Sequence, residues 1–293
     1  MRIAIGLVTA LLFASAALTQ PSAADGKITI VAAENFYGDV AQQIGGDQVS
    51  VASILSNPDQ DPHLFETAPS VVREIAAAQL VIYNGADYDP WMERLLNITP
   101  KPGRVVIVAA DLMHKKPGDN PHLWYDPSTM PAVARALTAA LSAADPAHAD
   151  HYTTGLRAFL ASLQPLSNKI AAIRGKYAGA TVAATEPVFG YMANELRLTV
   201  LEQRFQLSIM NNTEPSTGDL AAFESDLKTH KIRVLFYNKQ ASDKIVQHLV
   251  DLAHAANIPV VGVTETCPSG LSYQNWMLSE LEATEAALAG PSS

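Results

Sequence analysis

The sequence predicts an α/β fold with two lobes, each built on a parallel β-sheet, joined by a single long helix, with a ligand in the interlobe cleft. Two observations predict this fold. Short apolar runs rich in valine and isoleucine alternate with amphipathic helical patterns, as in parallel α/β sheets. One long helical pattern, at residues 146–178, interrupts the alternation near the middle of the chain. The 293 residues suffice for two domains of ordinary size.

The first 24 residues are predicted to be a secretory signal peptide. Arg2 precedes an uncharged apolar stretch at 3–18, and the small residues Ser22 and Ala24 stand three before and directly before a cut ahead of Asp25. A membrane anchor is the alternative, but the apolar stretch is short and no basic flank follows it. We therefore expect a periplasmic protein, soluble after signal cleavage, with no membrane insertion of the mature chain.

The charge of the chain limits the kinds of partner that it can bind, and its cysteine content limits the covalent bonds that can stabilise it. Lys and Arg number 20 against 29 Asp and Glu, which gives a net charge of −9. This balance argues against a nucleic-acid partner and is compatible with a cation as ligand. The one cysteine, Cys267, excludes a disulfide within the chain.

Seven apolar runs are predicted to be buried strands, divided between the two lobes. The N-terminal lobe, residues 25–145, contains the runs 28–33, 49–55, 80–84 and 105–110. The C-terminal lobe, residues 179–293, contains the runs 181–185, 232–238 and 259–264. Helical patterns of the N-terminal lobe cover 37–44, 70–78 and 130–144.

The connection between the lobes is predicted to be one helix over 146–178. Apolar residues recur at three- and four-residue steps from Leu156 to Tyr177. Asp145 offers an N-terminal cap, and Gly179 lies just past the end. Pro165 in the middle removes one backbone donor, so we expect a kink there.

Four side chains are the candidate metal ligands. His63 and His122 lie in proline-flanked loops after predicted strands, and Glu186 and Glu265 stand where buried strands end. In open parallel sheets, ligands bind beyond the carboxyl ends of the strands, so all four are expected to project into the cleft. Taken singly, a histidine can brace a loop and a glutamate can cap a helix. Five other histidines lie in or beside polar helical stretches and are expected to be solvated or capping residues: His148, His151, His230, His248 and His254.

Several short motifs, in this order along the chain, resemble those of a known family. They are Val31-Ala32-Ala33-Glu34-Asn35-Phe36, Asp61-Pro62-His63 with Glu66, Asn120-Pro121-His122-Leu123-Trp124, Phe189-Gly190-Tyr191 and Val261-Gly262-Val263-Thr264-Glu265. The chain resembles, over essentially its whole mature length, the ZnuA/TroA-like solute-binding proteins that feed zinc, manganese and iron ABC transporters. A long helix joining two lobes is also a trait of that family.

The resemblance implies a ligand set of His63, His122, Glu186 and Glu265. The family's fourth ligand is usually aspartate, so Glu265 departs from the pattern by one methylene. The His-rich insertion of many zinc members is missing before His122, where His114 is a lone possible remnant. Glu66 is expected to support His63 or to begin a helix rather than to act as a fifth ligand. Cys267 is expected to be a small apolar residue in a loop.

The implied function is binding without catalysis. The chain is expected to capture one divalent metal ion, Mn²⁺ or Zn²⁺, and to deliver it as a monomer to an ABC transporter permease. Two carboxylates that each bind through both oxygens would favour Mn²⁺. The alternative is a metal-dependent hydrolase that uses the same site, which requires an open coordination position for water and a nearby base. No His-Glu-x-x-His run or nucleophile elbow supports that alternative.

Overall fold

The computed structural model describes residues 26–57, 62, 65–241 and 243–290. The signal peptide predicted for residues 1–24 and the candidate ligand His63 lie outside the described residues. None of the described helices combines the length and the apolar composition needed to cross a bilayer.

Strands and helices alternate along the described chain, as the sequence predicts. The strands are Ile28–Glu34 (β1), Val49–Leu55 (β2), Leu80–Tyr83 (β3), Val105–Val108 (β4), Thr181–Ala184 (β5), Thr199–Leu201 (β6), Val234–Asn238 (β7) and Val260–Val263 (β8). The helices are Asn35–Gly45 (α1), Pro69–Ala77 (α2), Pro90–Ile98 (α3), Ala109–Leu112 (α4), Thr129–Ala144 (α5), Ala149–Ser162 (α6), Gln164–Tyr177 (α7), Gly190–Glu195 (α8), Gln203–Met210 (α9), Thr217–Lys228 (α10), Lys244–Ala255 (α11) and Tyr273–Ala289 (α12).

The strands form two four-stranded parallel sheets with the same topology. The first has the order β2-β1-β3-β4 and the second the order β6-β5-β7-β8. In each sheet the second strand of the chain pairs with one side of the first strand, and the third strand pairs with the other side. A topological switch point therefore lies between β1 and β3 in the first sheet and between β5 and β7 in the second. The sequence missed β6, because it is only three residues long and its side chains are partly or fully exposed.

Successive side chains of β1 point to opposite faces of the first sheet, so the strand contributes to two apolar clusters. Ile28, Ile30 and Ala32 join a central apolar cluster, whereas Val31 and Ala33 join a second cluster on the opposite face of the sheet. A third cluster covers the outer face of the second sheet. Both faces of each sheet are therefore buried, which is why the strands have nearly continuous apolar sequences.

The connection between the lobes differs from prediction in one detail. Two helices, α6 and α7, meet at Leu163, which retains helical dihedral angles. Pro165 stands in the first turn of α7, where its missing N–H is tolerated. The chain therefore forms two helices here, where one kinked helix was predicted. Helix α6 packs on α1 and α5, and α7 packs on α12.

The two lobes share a continuous core. The ring of Phe36 lies 4.7 Å from that of Trp124 and 5.9 Å from that of Trp276, which belongs to α12. Tyr125 lies 5.6 Å from Phe189, so aromatic contacts cross between the lobes at a second point. Aromatic burial on this scale resists any wide separation of the lobes.

Hydrogen bonds reinforce the same interface. The side chain of Asn35, at the start of α1, accepts from the amide of Cys267 at 2.9 Å and donates to its carbonyl at 2.7 Å. The hydroxyl of Tyr273 donates to the carbonyl of Trp124 at 2.8 Å. These contacts join residues more than 140 positions apart and place the loop after β8 against the first lobe.

Replacing Asn35 with alanine should lower the free energy of unfolding by about 1–3 kcal/mol, because both backbone groups of Cys267 lose a part-buried partner. Urea denaturation followed by circular dichroism measures this change. The exposed Asn275→Ala is the matched control and should stay within about 0.5 kcal/mol of the unmodified protein. Equal stabilities of the two variants would contradict a stabilising role for the Asn35 contact.

Candidate metal centre

Three of the four predicted ligands lie at the edges of the sheets that face the cleft. His122 directly precedes a 3-10 turn, Leu123–Tyr125, in the first lobe. Glu186 follows β5 after one residue, and Glu265 follows β8 after one residue. All three are buried, with relative exposures of 0%, 5% and 0%.

The structure brings these three side chains together. One ligand atom from each of His122, Glu186 and Glu265 lies within 4.8 Å of the others. The Nε2 atom of His122 is 3.5 Å from an Oε2 atom of Glu265. Within the described part of the chain, this is the only group of three or more His, Cys, Asp or Glu residues so arranged. The arrangement suits a dication, because two buried carboxylates and an imidazole converge on one point.

The imidazole of His122 is oriented by its neighbour Asn120. The Oδ1 atom of Asn120 lies 2.7 Å from Nδ1 of the ring and accepts the backbone N–H of His122 at 3.1 Å. Because Oδ1 only accepts, Nδ1 carries a proton, and Nε2 is the ring nitrogen that faces Glu265. Asn120 itself donates to the carbonyl of Pro187 at 2.7 Å, in the other lobe. The ring of His122 is thus oriented by a residue that also contacts the loop after Glu186.

The two carboxylates are held by amides of the second lobe. Asn238, at the end of β7, donates from one nitrogen to Glu186 at 2.8 Å and to Glu265 at 2.6 Å. Gln240 accepts the backbone N–H of Glu265 at 2.5 Å and donates to Thr266 at 3.1 Å. All these groups are buried. Hydrogen bonds within the C-terminal lobe therefore hold the side chains of both glutamates and the backbone of Glu265.

Comparison with known proteins places the chain in a family. The family model described as zinc-uptake complex component A, periplasmic (ZnuA), matches residues 30–287. The chain belongs to this family. It is 26% identical over 275 residues to a putative metal-binding protein of Treponema pallidum, covering 86% of this chain and 84% of that protein. It is 25% identical over 263 residues to the manganese-binding lipoprotein MntA of Bacillus subtilis, covering 84% of each.

Solved structures show the same fold. The periplasmic zinc binding protein TroA from Treponema pallidum superposes with a TM-score of 0.75 at 19% identity, covering 90% of this chain and 99% of that one. The Mn-bound periplasmic metal binding protein from Candidatus Liberibacter asiaticus gives a TM-score of 0.72 at 18% identity, covering 89% and 100%. The predicted fold class, two parallel-sheet α/β lobes, is confirmed.

In this member of the zinc-uptake family, other residues singled out in the sequence lie apart from the cluster. Glu66 and His114 are exposed and do not belong to the group of three. Cys267 is buried, its thiol contacts the carbonyl of Leu271 at 3.4 Å, and burial raises its pKa to about 12. A thiol so far from ionisation agrees with the apolar role expected of it.

A buried acid pair beside the site was missed by sequence reasoning. Burial, together with the charge of Asp89, raises the pKa of Glu34 well above its usual value, and burial raises that of Asp89 to about 6. Asp89 accepts the amides of Asn84 and Gly85 at 2.7 Å each. These bonds hold a turn in which Gly85, Ala86 and Asp87 all have positive φ.

Next to this turn, Tyr88 reaches the cluster itself. Burial raises the pKa of Tyr88 well above its usual value, and the charges of Glu265 and Glu34 raise it further. The charge of Glu265 thus acts directly on the hydroxyl of Tyr88, and the tyrosine ring lies 6.0 Å from that of His122. Tyr88 was not singled out in the sequence, because only the fold brings it to the cleft.

A second buried acid, Glu280 of α12, braces the loop that carries Glu265. It accepts from Trp276 at 2.9 Å and from the backbone N–H of Thr264 at 3.3 Å. The hydroxyl of Tyr125 lies 2.7 Å from Glu280 and 2.8 Å from the carbonyl of Thr264, but it has only one proton. The two oxygens therefore share the single proton of Tyr125. Burial raises the pKa of Glu280 to about 7, although the hydrogen bonds from Tyr125 and Trp276 lower it.

Glu280 should make the protein less stable as pH rises. Because its pKa is raised on folding from 4.5 to about 7, the folded state binds more protons between these values, and the free energy of unfolding falls by about 3 kcal/mol across the window. Glu280→Gln keeps a hydrogen-bonding side chain but cannot titrate, so its stability should depend less on pH. Denaturant titrations of both proteins from pH 5 to pH 8 measure the difference.

The matched control is Glu285→Gln on the same helix. Hydrogen bonds from Lys176 and Lys169 lower the pKa of Glu285, so its contribution does not change above pH 5. This variant should keep the pH slope of the unmodified protein. An unaltered slope in Glu280→Gln would show that Glu280 is already ionised at pH 5.

Proposed function

We propose that this protein is an extracytoplasmic solute-binding protein that captures one divalent transition-metal ion, Mn²⁺ or Zn²⁺, and delivers it to an ABC-type membrane permease. The observation that carries the proposal is the convergence of His122, Glu186 and Glu265 in a buried site between two lobes. Membership of the zinc-uptake family and the metal-binding relatives support the same function.

The proposed ligands are His63, His122, Glu186 and Glu265, two from each lobe. Support for His63 comes from its position in the sequence between β2 and α2; the last residue of β2, Leu55, pairs with Glu34 at the edge that faces the cleft. The imidazoles would bind as neutral donors, and the glutamates would neutralise the charge of the dication. An ion that binds only the folded protein would stabilise it by mass action.

The hydrolase alternative receives no support. Catalysis at a metal needs an open coordination position and a base aligned on the bound water. The relatives reported above are named as metal-binding or manganese-binding proteins. We therefore assign no reaction to this site.

Delivery requires a partner and a compartment. We infer a permease subunit as the partner, because two of the relatives are named as substrate-binding lipoproteins of metal or manganese ABC transporters. We propose cleavage after Ala24, a soluble mature chain in the periplasm, and action as a monomer, since each chain contains a complete proposed ligand set.

Metal titration tests the proposal directly. Mature protein starting at Asp25 and stripped with chelator should bind one tight equivalent of Zn²⁺ or Mn²⁺ by calorimetry, and metal should raise its melting temperature by mass action. Mg²⁺ is the control ion and should have little effect, because it prefers sites made of oxygen alone. Two tight equivalents, or none, would overturn the single-site function.

Single substitutions test the ligand set. His63→Ala, His122→Ala, Glu186→Ala and Glu265→Ala should each weaken Zn²⁺ binding by about a hundredfold or more, because each removes a donor atom from a buried ion. The exposed His230→Ala and His248→Ala are matched controls and should bind normally. Normal binding by Glu265→Ala would show that the fourth ligand has been placed on the wrong acid.

A further inference from the structure

One buried carboxamide contacts both carboxylates of the cluster. Asn238 is the last residue of β7, is 3% exposed, and stands between Glu186 and Glu265. Its Nδ2 atom lies 2.8 Å from Oε2 of Glu186 and 2.6 Å from Oε1 of Glu265. An amide nitrogen has two protons, so each carboxylate receives one of them.

The orientation of this amide is fixed by a third contact. The Oδ1 atom of Asn238 accepts the backbone N–H of Gln240 at 3.0 Å. Turning the amide over would place its oxygen against two carboxylate oxygens and its nitrogen against an N–H donor. The two donors therefore point permanently at the two glutamates.

The two oxygens of the Glu265 carboxylate face different residues. Oε1 of Glu265 faces Asn238, whereas Oε2 of the same group lies 3.5 Å from Nε2 of His122. Glu186 likewise has its Oε2 atom on Asn238. Hydrogen bonds to a charged acceptor are strong, so each bond from Asn238 takes up one lone pair of the oxygen and resists rotation of the carboxylate, which favours the other oxygen as the donor to an ion.

We propose that Asn238 determines the metal preference of this site, by holding one oxygen of each glutamate so that each binds the ion through a single oxygen. The proposal rests on the function proposed above. With two imidazoles and two single oxygens, the site offers four donors, which is the coordination that Zn²⁺ prefers. Mn²⁺ is served better by more oxygen donors, so the structure opposes the preference for Mn²⁺ expected from carboxylates that bind through both oxygens.

Competition titrations with Asn238→Ala test the preference. Without the amide, the glutamates are free to bind through both oxygens, so the ratio of Zn²⁺ affinity to Mn²⁺ affinity should fall by about tenfold or more, which is about 1.4 kcal/mol. The matched control is Gln274→Ala. Gln274 is a buried amide of α12 whose nitrogen donates to Ser162 at 2.6 Å and to Gln43 at 2.8 Å, neither of which belongs to the cluster. Its loss should leave the ratio unchanged.

The visible spectrum of bound Co²⁺ reports the coordination number of the ion, in the unmodified protein as well as in a variant. Four-coordinate Co²⁺ absorbs visible light much more strongly than six-coordinate Co²⁺, so the unmodified protein should give the strong spectrum and Asn238→Ala a weaker one. A weak spectrum from the unmodified protein would overturn the proposal, as would an unchanged affinity ratio in folded Asn238→Ala. Failure of the unmodified protein to bind Zn²⁺, Mn²⁺ or Co²⁺ at all would instead refute the proposed function.

Discussion

The structure depends on the burial of two carboxylates side by side. Glu186 and Glu265 lie with His122 within 4.8 Å of one another in a region that water does not reach. Two negative charges at this distance in a medium of low dielectric repel each other strongly unless positive charge or hydrogen bonds compensate. Asn238 supplies part of that compensation, because its amide nitrogen donates to both carboxylates. A dication would supply the rest, which gives the folded protein a direct reason to bind one.

A rigid frame is the second condition for such a site. Aromatic side chains cross between the lobes, and Asn35 and Tyr273 form hydrogen bonds with backbone groups on the far side of the interface. Because α7 packs on α12 and α6 on α1, the connecting helices belong to both lobes. These contacts oppose a wide separation of the lobes.

Two further acids lie buried in this frame. Glu280 accepts from Tyr125 and from the backbone N–H of Thr264, next to Glu265, whereas Glu34 lies at the end of β1. Burial raises the pKa of both groups, because a carboxyl group removed from water loses the hydration that favours its charge.

The sequence by itself determined the fold class, the alternation of strands and helices, and the candidate ligands, because these follow from apolar periodicity and from the rule that parallel strands end at one functional edge. It missed β6, which is too short to show a period, and it placed one helix where Pro165 separates two. Only the tertiary structure decided which residues support the ligands. Asn238 and Glu186 are 52 positions apart in the sequence, and Tyr125 and Glu280 are 155 positions apart. No local sequence pattern therefore indicates either contact. Local periodicity reports which face of an element is buried, whereas the partner of a buried polar group is decided by how distant elements pack together.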